Sequence, residues 1–259
     1  MRAVLLSEPQ TPLEVVDIEL AAPREGEVLV RVEAAGVCHS DYHYLQGELR
    51  CPLPAVLGHE GAGVVEAVGP GVRHVSVGDA VSLLWRPRCG ECRACLSGHS
   101  ERCALGRVEA TTGGLLDGTS RLSRDGAPVH HLLGVSCFAE RCVIPERSVV
   151  RLPEGVPFPV AAIAGCAVIT GVGAVLNALD SPAGRSLVVV GAGGVGCAAV
   201  MGAVVAGAFP IIAIDPNPGA LDLARSLGAT HTVLAEGDID AVIREHWRRR
   251  LRDRGGRAT

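Results

Sequence analysis

Lysine is absent from this 259-residue chain, in which all 24 basic residues are arginine and the formal net charge is −4. A weakly acidic chain has no general electrostatic attraction for nucleic acid. Aromatic residues make up only 3% of the sequence. No apolar run reaches the about 20 residues that span a bilayer, and the first ten residues, MRAVLLSEPQ, lack the long apolar segment of a secretory signal. We therefore expect a soluble, cytoplasmic protein that binds neither nucleic acid nor a membrane.

Cysteine and glycine, by contrast, are abundant, with 10 and 33 residues respectively. Disulfides are rare in a reducing compartment, where cysteine thiols more often bind metals or take part in catalysis. The chain is long enough for one large domain or two of ordinary size. Its cysteines are therefore the first candidates for functional residues.

The stretch GVCHSDYHYLQGELRCPLPAVLGHEG, residues 36–61, concentrates possible metal ligands. A thiolate and an imidazole suit Zn²⁺, and a catalytic zinc site has three protein ligands and one open position. Cys38 and His59 are two candidate ligands. Short strand-like runs around them, separated by glycine and proline, predict a small β-barrel in residues 1 to about 85.

Four further cysteines follow within RCGECRACLSGHSERCA: Cys89, Cys92, Cys95 and Cys103. Their close spacing lets four thiolates converge on one ion, and a site with four cysteine ligands and no open position is structural. Buried or disulfide-paired cysteines are the alternative, which so dense a cluster in a chain without a signal disfavours. The other cysteines are expected to pack mostly as small hydrophobic side chains: Cys51, Cys137, Cys142 and Cys197.

Residues 104–135 are polar and glycine-rich and have no helical period, so the sequence predicts a long structured loop. His130 and His131 in this segment are possible metal ligands, although exposed or hydrogen-bonded histidines are the commoner case. Strand-like runs return at 138–145 and 148–152.

The run AAIAGCAVITGVGAVLNAL, which follows Val160, is long, apolar and rich in alanine and glycine, and it predicts closely packed helices. Cys166 lies within it between small neighbours, which leave room for a metal and a substrate. A lone cysteine in such a run is ordinarily a core residue. The ligand interpretation depends on the open site at Cys38 and His59.

A nucleotide-binding pattern begins at SLVVV, residues 186–190, which predicts a strand before GAGGVG at 191–196 and an apolar segment of helical length. Glycines there permit a tight turn and the close approach of a pyrophosphate to a helix N-terminus. A second strand at 211–214 ends in Asp215, where an acidic residue accepts hydrogen bonds from the adenosine ribose. Because no basic residue follows until Arg225, the pattern favours NAD over NADP.

Together these motifs resemble the zinc-dependent medium-chain alcohol dehydrogenases over about residues 1–245. The resemblance rests on GVCHSD at 36–41, GHEGAG at 58–63, the four-cysteine segment at 89–103, GCAVITG at 165–171 and GAGGVG at 191–196. DGTSR at 117–121 is similar to the branch of typical alcohol dehydrogenases rather than to the zinc-free quinone reductases.

The resemblance implies an α/β fold with a β-rich part. A GroES-like β-barrel catalytic domain is expected at 1–166, with a structural-zinc lobe at 85–105. A partial NAD-binding Rossmann domain, a doubly wound parallel sheet, is expected at 167–245.

The same resemblance implies Cys38, His59 and Cys166 as ligands of a catalytic zinc ion. It places Glu60 next to the metal and makes Asp41 the residue that orients His59. Zn²⁺ then acts as a Lewis acid on a primary or secondary alcohol, whose hydride passes to NAD⁺ to leave an aldehyde or a ketone.

Further roles follow from the resemblance. Ser40 takes the alcohol proton and His43 passes it to solvent, unless both are ordinary loop residues. Apart from the resemblance, the position of Arg107 just after the four-cysteine segment makes it a candidate partner for an anionic substrate such as a thiol adduct, with an ordinary surface arginine as the commoner alternative. Cofactor contacts are implied for His39, Thr170, Gly191, Gly193, Gly194, Gly196 and Asp215, and a place in the substrate pocket for Trp85.

The resemblance ends near residue 245. A Rossmann domain is built from two mononucleotide halves, but only one half is predicted, with strands near 187–191, 211–214 and 231–234. We expect a C-terminally truncated or frameshifted member, without the half that flanks the nicotinamide or the strand through which the family's homo-oligomers pair. HWRRRLRDRGGRAT, residues 246–259, is expected to be an aberrant basic tail, with nucleic-acid binding as the alternative.

Two classes of function remain open. One is an NAD-dependent zinc alcohol dehydrogenase, which the motifs favour. The other is a catalytically inactive zinc-binding remnant that still binds nucleotide or a partner, which exposed sheet edges favour. The combined expectation is two zinc ions per chain and little or no turnover from this chain alone.

Overall fold

The structure, a computed structural model, describes residues 1–236 apart from the side chains of residues 107–110. The chain divides into two compact units, of which the first is Met1–Cys166 and the second begins at Ala167. The basic tail predicted at 246–259 lies outside the described residues, as do the last residues of the predicted nucleotide-binding domain.

The first unit is rich in β-strands, as the short apolar runs between glycines and prolines predicted. The strands are β1 (Arg2–Leu6), β2 (Glu14–Asp17), β3 (Glu19–Leu20), β4 (Glu27–Gly36), β5 (Ala55–Val56), β6 (Glu60–Val68), β7 (Ala80–Leu83), β8 (Leu122–Arg124), β9 (Ala127–His131), β10 (Arg141–Pro145) and β11 (Val149–Arg151). They form two sheets with the strand orders β2-β1-β5-β9-β8-β3 and β10-β4-β6-β7-β11. Most neighbours pair antiparallel, whereas β5 and β9 pair in parallel.

Aliphatic side chains of the second of these sheets form a buried core. Its members include Val28 and Val30 of β4, Val65 of β6, Val81 of β7 and Ile144 of β10, each at most 1% exposed. Burying an aliphatic side chain of this size stabilises a fold by about 1.5–3 kcal/mol. The core therefore holds β4 and β6 together, and their register sets Gly36 opposite Glu60.

Four α-helices belong to the described part of the first unit: α1 (His39–Gln46), α2 (Arg93–Leu96), α3 (Leu105–Thr112) and α4 (Phe158–Ile163). Helix α1 begins after Cys38 and ends at Gly47, whose left-handed conformation (φ 75°) terminates the helix. The sequence carried two signals of this helix, an acidic residue in its first turn and a glycine after its last. The helix has only eight residues, too few for an apolar periodicity to mark it in the sequence.

The prediction of a long loop at 104–135 is wrong, because this segment contains α3, β8 and β9. The polar composition of the segment led to the loop prediction, but some of its polar side chains are buried and form ion pairs or hydrogen bonds instead of contacting solvent. Arg121, which is 2% exposed, makes ion pairs with Glu27 at 2.5 Å and Asp117 at 2.8 Å. The DGTSR motif thus fastens this segment to the start of β4.

The second unit contains a three-stranded parallel sheet with helices between its strands. Its elements are α5 (Ile169–Ala178), β12 (Leu187–Val190), α6 (Gly194–Val205), β13 (Ile211–Asp215), α7 (Pro218–Ser226) and β14 (His231–Leu234). The strand order is β12-β13-β14. This β-α-β-α-β arrangement is one mononucleotide half of a doubly wound sheet. Residues Ile211–Ile214 are buried, as expected of a strand covered on both faces.

The helical stretch Phe158–Ala178 corrects one expectation from the sequence. It is 21 residues long and apolar, so by length and composition it could cross a membrane, contrary to the expectation that no apolar run is long enough. A single helix of this kind is a weak indication, because core helices meet the same criteria. The stretch also contains a π-helical turn, Ala164–Val168, which includes Cys166.

Candidate active site and metal centres

Four side chains of the first unit converge on a candidate metal site: Cys38, His59, Glu60 and Cys166. One potential ligand atom from each lies within 4.8 Å of every other. His59 and Glu60 are buried, at 2% and 3% exposure, and the two cysteines are partly buried. Thiolate and imidazole donors at such short separations suit Zn²⁺. The structure thus brings together the three residues expected as catalytic ligands and the predicted neighbour of the metal.

Each ligand is held by a different element. Cys38 immediately precedes α1, His59 immediately precedes β6, and Cys166 lies in the π-helical turn after α4. Turns of this type commonly occur at functional sites, because they redirect one side chain out of the regular helical path. Residues far apart in the sequence therefore meet at a position that the pairing of β4 with β6 and the packing of α4 on both strands fix.

Asp41 connects two of these ligand segments. Its Oδ2 accepts a hydrogen bond from the Cys38 backbone N–H at 3.0 Å, and its Oδ1 accepts one from His59 Nδ1 at 3.2 Å. A third bond comes from the Gly58 N–H at 3.3 Å. Holding Nδ1 of His59 leaves Nε2 as the nitrogen available to a metal. Asp41 therefore has the geometry predicted for an orienting residue.

The protonation of His59 reflects the same contacts. Burial by itself lowers the pKa of His59, but hydrogen bonds and charge attraction from Asp41 and Cys166 raise it to about 11. The buried cluster thus holds protons that a divalent cation must displace, since zinc binds neutral imidazole and thiolate. Zinc uptake at this site is expected to release protons.

Glu60 is fixed by the close approach of two backbones. It lies opposite Gly36 in the β4–β6 register, and a Cβ atom added to Gly36 would overlap the Glu60 carboxylate and approach Ile163. Only glycine fits at position 36 without displacing Glu60. Gly36, the first residue of the GVCHSD motif, therefore leaves the space that the Glu60 carboxylate occupies, although the two residues are 24 positions apart.

The residues expected to carry a proton lie on α1. Ser40 Oγ is 3.7 Å from Cys38 Sγ. His43 is about two-fifths exposed and makes a short hydrogen bond through Nδ1 with the Glu48 carboxylate. No direct hydrogen bond joins Ser40 to His43 in the described part of the chain, so a proton passing between them requires a bridging group. Glu48 was not singled out in the sequence, where the only signal was its place just after Gly47.

The second cluster consists of the four cysteines Cys89, Cys92, Cys95 and Cys103, whose sulfur atoms lie within 4.8 Å of one another. Three measured Sγ–Sγ separations are 3.6, 3.9 and 3.9 Å. A tetrahedral zinc ion with bonds of about 2.3 Å requires edges of about 3.8 Å. A disulfide requires about 2.05 Å. The geometry therefore fits one tetrahedral ion and excludes disulfide pairing.

Backbone N–H groups stabilise the thiolate form of two cysteines in this cluster, which is the form that binds a cation. Hydrogen bonds from the backbone N–H groups of Cys89 and Leu105 lower the pKa of Cys103 to about 6, against the effect of burial. Backbone N–H groups also lower the pKa of Cys89, whereas burial raises the pKa of Cys95 to about 12. Backbone N–H groups thus stabilise the thiolates of Cys89 and Cys103, whereas the thiolate of Cys95 requires a positive charge at the centre of the cluster.

In the second unit, GAGGVG joins β12 to α6 as predicted. Gly191 has φ 90°, Gly193 caps α6 and Gly194 is its first residue. A Cβ atom at Gly196 would overlap the Gly191 carbonyl, so the turn is too tight for any side chain there. The end of β13 meets this loop, because Asp215 Oδ2 accepts the Ala192 N–H at 2.7 Å and Oδ1 accepts the Asn217 N–H at 2.8 Å.

The other predicted site residues are placed less specifically. His39 is exposed, with its ring against those of Tyr42 and His43, and Thr170 is exposed on α5. Trp85 is half-buried against the barrel core with the Arg86 guanidinium over its ring.

Histidines 130 and 131 lie on β9 and belong to neither metal-ligating cluster found among the described residues. The side chain of Arg107 is outside the described part, so its expected contact with substrate stays a prediction. Cys137, Cys142 and Cys197 are buried in hydrophobic clusters, as expected of small apolar residues.

Family models match both units of the chain. The alcohol dehydrogenase GroES-like domain matches residues 24–154, and the zinc-binding dehydrogenase model matches residues 194–253. With the barrel, the two cysteine-containing clusters and the glycine-rich turn, these matches identify the class. The chain belongs to the zinc-dependent medium-chain alcohol dehydrogenase family, which confirms the resemblance seen in its sequence.

Individual relatives extend the comparison. The S-(hydroxymethyl)glutathione dehydrogenase of Escherichia coli is 43% identical over 245 residues, which are 94% of this chain and 66% of the relative. Among solved structures, an alcohol dehydrogenase zinc-binding domain protein from Burkholderia ambifaria has a TM-score of 0.88 at 41% identity, with 94% of this chain and 66% of that one covered. Benzyl alcohol dehydrogenase from Acinetobacter calcoaceticus has a TM-score of 0.85 at 36% identity, with the same coverage. The chain thus spans 66% of the length of these relatives.

Proposed function

We propose that the protein is an alcohol dehydrogenase that uses zinc and transfers a hydride from a primary or secondary alcohol to NAD⁺. The observation that carries the proposal is the convergence of Cys38, His59 and Cys166, with Asp41 bonded to the first two. Structural zinc sites are normally closed by four cysteine or histidine ligands, whereas three such ligands beside a carboxylate leave room for substrate.

The donor sets support zinc at both clusters. Cys38, His59 and Cys166 would hold the catalytic ion, with Glu60 beside it, and the cluster of Cys89, Cys92, Cys95 and Cys103 would hold a structural ion. When bound, the catalytic ion supplies a Lewis acid that favours loss of the alcohol proton near neutral pH. Asp41 keeps His59 in the orientation that serves this site.

The chain's own residues then move the proton. Ser40, beside Cys38, accepts the hydroxyl proton of the alcohol, and His43 releases it to solvent through a bridging hydroxyl or water. The partial exposure of His43 supports its place at the solvent end. Neither residue has to change its net protonation over a full cycle.

The glycine-rich turn and Asp215 support NAD as the hydride acceptor. The turn leaves the N-terminus of α6 open to a pyrophosphate, and Asp215 at the end of β13 retains lone pairs for ribose hydroxyls. A carboxylate at this position also repels a 2′-phosphate. We therefore expect titration calorimetry to show tighter binding of NAD⁺ than of NADP⁺. In Asp215→Asn the difference in affinity between the two cofactors should be smaller.

The related proteins narrow the choice of alcohol to be tested. Their names give S-(hydroxymethyl)glutathione and benzyl alcohol as substrates. Because the chain spans 66% of their length, the activity is proposed for the protein as a whole. The second candidate function is zinc and nucleotide binding without turnover, which the two metal-ligating clusters and the glycine-rich turn with Asp215 would support by themselves.

A single assay separates the two functions. The zinc-loaded chain is incubated with NAD⁺ and either benzyl alcohol, ethanol or S-(hydroxymethyl)glutathione, and NADH is followed by absorbance. The dehydrogenase proposal predicts NADH formation that Cys166→Ser abolishes and that Cys51→Ser, a control outside both clusters, preserves. NAD⁺ binding with no NADH from any alcohol would support the binding function instead.

A further inference from the structure

The end of α1 holds a carboxylate against the proposed proton-relay residue. Glu48 Oε2 and His43 Nδ1 form a hydrogen bond that is shorter than usual for such a pair. The two side chains are partly exposed, at 59% and 39%. Such a pair contributes little to stability, because solvent screens the charges and ordering two side chains costs entropy. The contact therefore bears on the orientation of the His43 ring rather than on folding.

The backbone builds this contact. Gly47 adopts the left-handed conformation (φ 75°), which ends α1 and turns the chain back along the helix. The N–H groups of Glu48 and Leu49 both donate to the His43 carbonyl, at 3.0 and 3.2 Å. The backbone of Glu48 is thus fixed relative to His43, and its side chain needs only a short reach to the imidazole.

Within residues 1–236, the aromatic neighbours of the His43 ring offer no substitute for this contact. Its ring lies 4.8 Å from that of His39, edge to face, and 6.5 Å from that of Tyr42. Neither neighbour carries a carboxylate. A carboxylate can only accept a hydrogen bond, so the contact with Glu48 favours a proton on Nδ1 of His43.

We propose that Glu48 is a positioning residue that holds His43 in the Nδ1–H tautomer, with Nε2 as the nitrogen that exchanges protons. This role rests on the proposed function, in which His43 passes the substrate proton to solvent. Nε2 accepts one proton to give an imidazolium whose Nδ1–H stays bonded to Glu48. The same Nε2 then releases that proton to water, which restores the neutral tautomer.

Nitrogen NMR of the full chain tests the assignment without requiring activity. The unprotonated nitrogen of a neutral imidazole resonates far downfield of the protonated one, so the tautomer is read directly at alkaline pH. His43→Gln identifies the His43 signals. The expected result is an unprotonated Nε2 and a protonated Nδ1 in the wild-type chain.

Variants separate positioning from general structural effects. Glu48→Ala is expected to shift His43 to the Nε2–H tautomer, which free imidazole side chains prefer in water. Glu48→Gln can accept from Nδ1–H through its oxygen or donate to an unprotonated Nδ1 through its amide, so it should give a mixture of the two tautomers. Glu14→Ala, which removes an exposed carboxylate on β2, serves as the control and should change nothing. An Nε2–H tautomer in the wild type, or an unchanged tautomer in Glu48→Ala, would overturn the proposal.

The result is distinguishable from failure of the proposed function. If the Nδ1–H tautomer depends on Glu48 but the chain forms no NADH, the contact between Glu48 and His43 is supported and the proposed dehydrogenase function is not. If NADH forms but His43 is in the Nε2–H tautomer, the dehydrogenase function is supported and the role of Glu48 is not.

Discussion

At the scale of single residues, Asp41 shows how the site is built from paired contacts rather than from ligands alone. Its carboxylate receives hydrogen bonds from the Cys38 backbone, the Gly58 backbone and the His59 ring. One side chain thus fixes two ligand-bearing segments that are separated by 21 residues. Loss of its charge should affect metal binding far more than it affects the fold.

Asp41→Asn is expected to lower the zinc affinity of the Cys38–His59–Cys166 site by about 10- to 100-fold, as for other groups that orient metal ligands. The asparagine amide has nearly the same shape as the carboxylate, but its NH2 group cannot accept a hydrogen bond, so at least one of the three bonds is lost. Competition with a chromophoric chelator measures the affinity. Asp79→Asn is the matched control, because Asp79 likewise accepts the backbone N–H of the residue three positions earlier, at 2.8 Å, in an exposed turn. Equal affinities in the two variants would contradict the assigned role.

Gly36→Ala should destabilise the first unit and disturb Glu60, since the added methyl group overlaps its carboxylate. Overpacking of this kind costs about 1–3 kcal/mol. Gly173→Ala on α5 is the control: its added Cβ would lie 3.6 Å from Asn177 Nδ2, an ordinary contact, and alanine favours the helix. Thermal unfolding compares them. A Gly36→Ala midpoint as high as that of the control would count against the close approach.

The sequence predicts which residue types form the site but not all of the contacts between them. The spacing of Cys89, Cys92, Cys95 and Cys103 predicted a four-sulfur cluster because nearby cysteines can meet without knowledge of the fold. For Cys166 the sequence left the core and ligand interpretations open and the family resemblance favoured the ligand, since its meeting with Cys38 depends on how β4, β6 and α4 pack. Glu48 was missed because a surface glutamate has no sequence signature until the turn at Gly47 directs it.

At the scale of elements, β9 shows how composition can mislead. The segment that contains it was predicted to be a loop, yet His131 on this strand is 1% exposed and accepts the Arg121 backbone N–H through Nε2 at 3.1 Å. Polar residues that pair with one another can be buried at acceptable cost. A polar stretch is therefore a loop only when its polar groups reach water.

The buried state of His131 predicts a pH dependence of stability. Burial, together with the charges of Arg121 and His130, lowers the pKa of His131 to about 3, whereas an unfolded histidine has a pKa of about 6.5. Between these values the unfolded chain binds a proton that the folded chain excludes. Stability therefore rises with pH across this window and falls as the solution is acidified.

His131→Gln removes the titrating group but keeps an acceptor for the Arg121 N–H. On going from pH 7 to pH 5, the wild type should lose about 2 kcal/mol more than this variant, by linkage of proton binding to unfolding. Urea unfolding at the two pH values measures the difference. His74→Gln, which replaces an exposed histidine of the same unit, should behave as the wild type. Parallel losses in all three proteins would show that His131 is not held neutral.

At the scale of the whole molecule, the two units each carry one part of the proposed chemistry. The first contains both metal-ligating clusters, and the second contains the glycine-rich turn and Asp215. The three parallel strands and the barrel were predictable, because β-rich runs and a strand–GAGGVG–helix pattern have local signatures. How strands pair across the barrel was not, since the register of β4 with β6 depends on contacts distant in sequence.

Zinc content tests the central claim, that the chain builds two separate zinc sites, most directly. Mass spectrometric metal analysis of the purified full chain should give two zinc ions per chain, one for each cluster. Cys166→Ser and Cys103→Ser should each retain one ion, while Cys51→Ser retains both. Less than one zinc ion per wild-type chain, or the loss of both ions from Cys166→Ser alone, would contradict it.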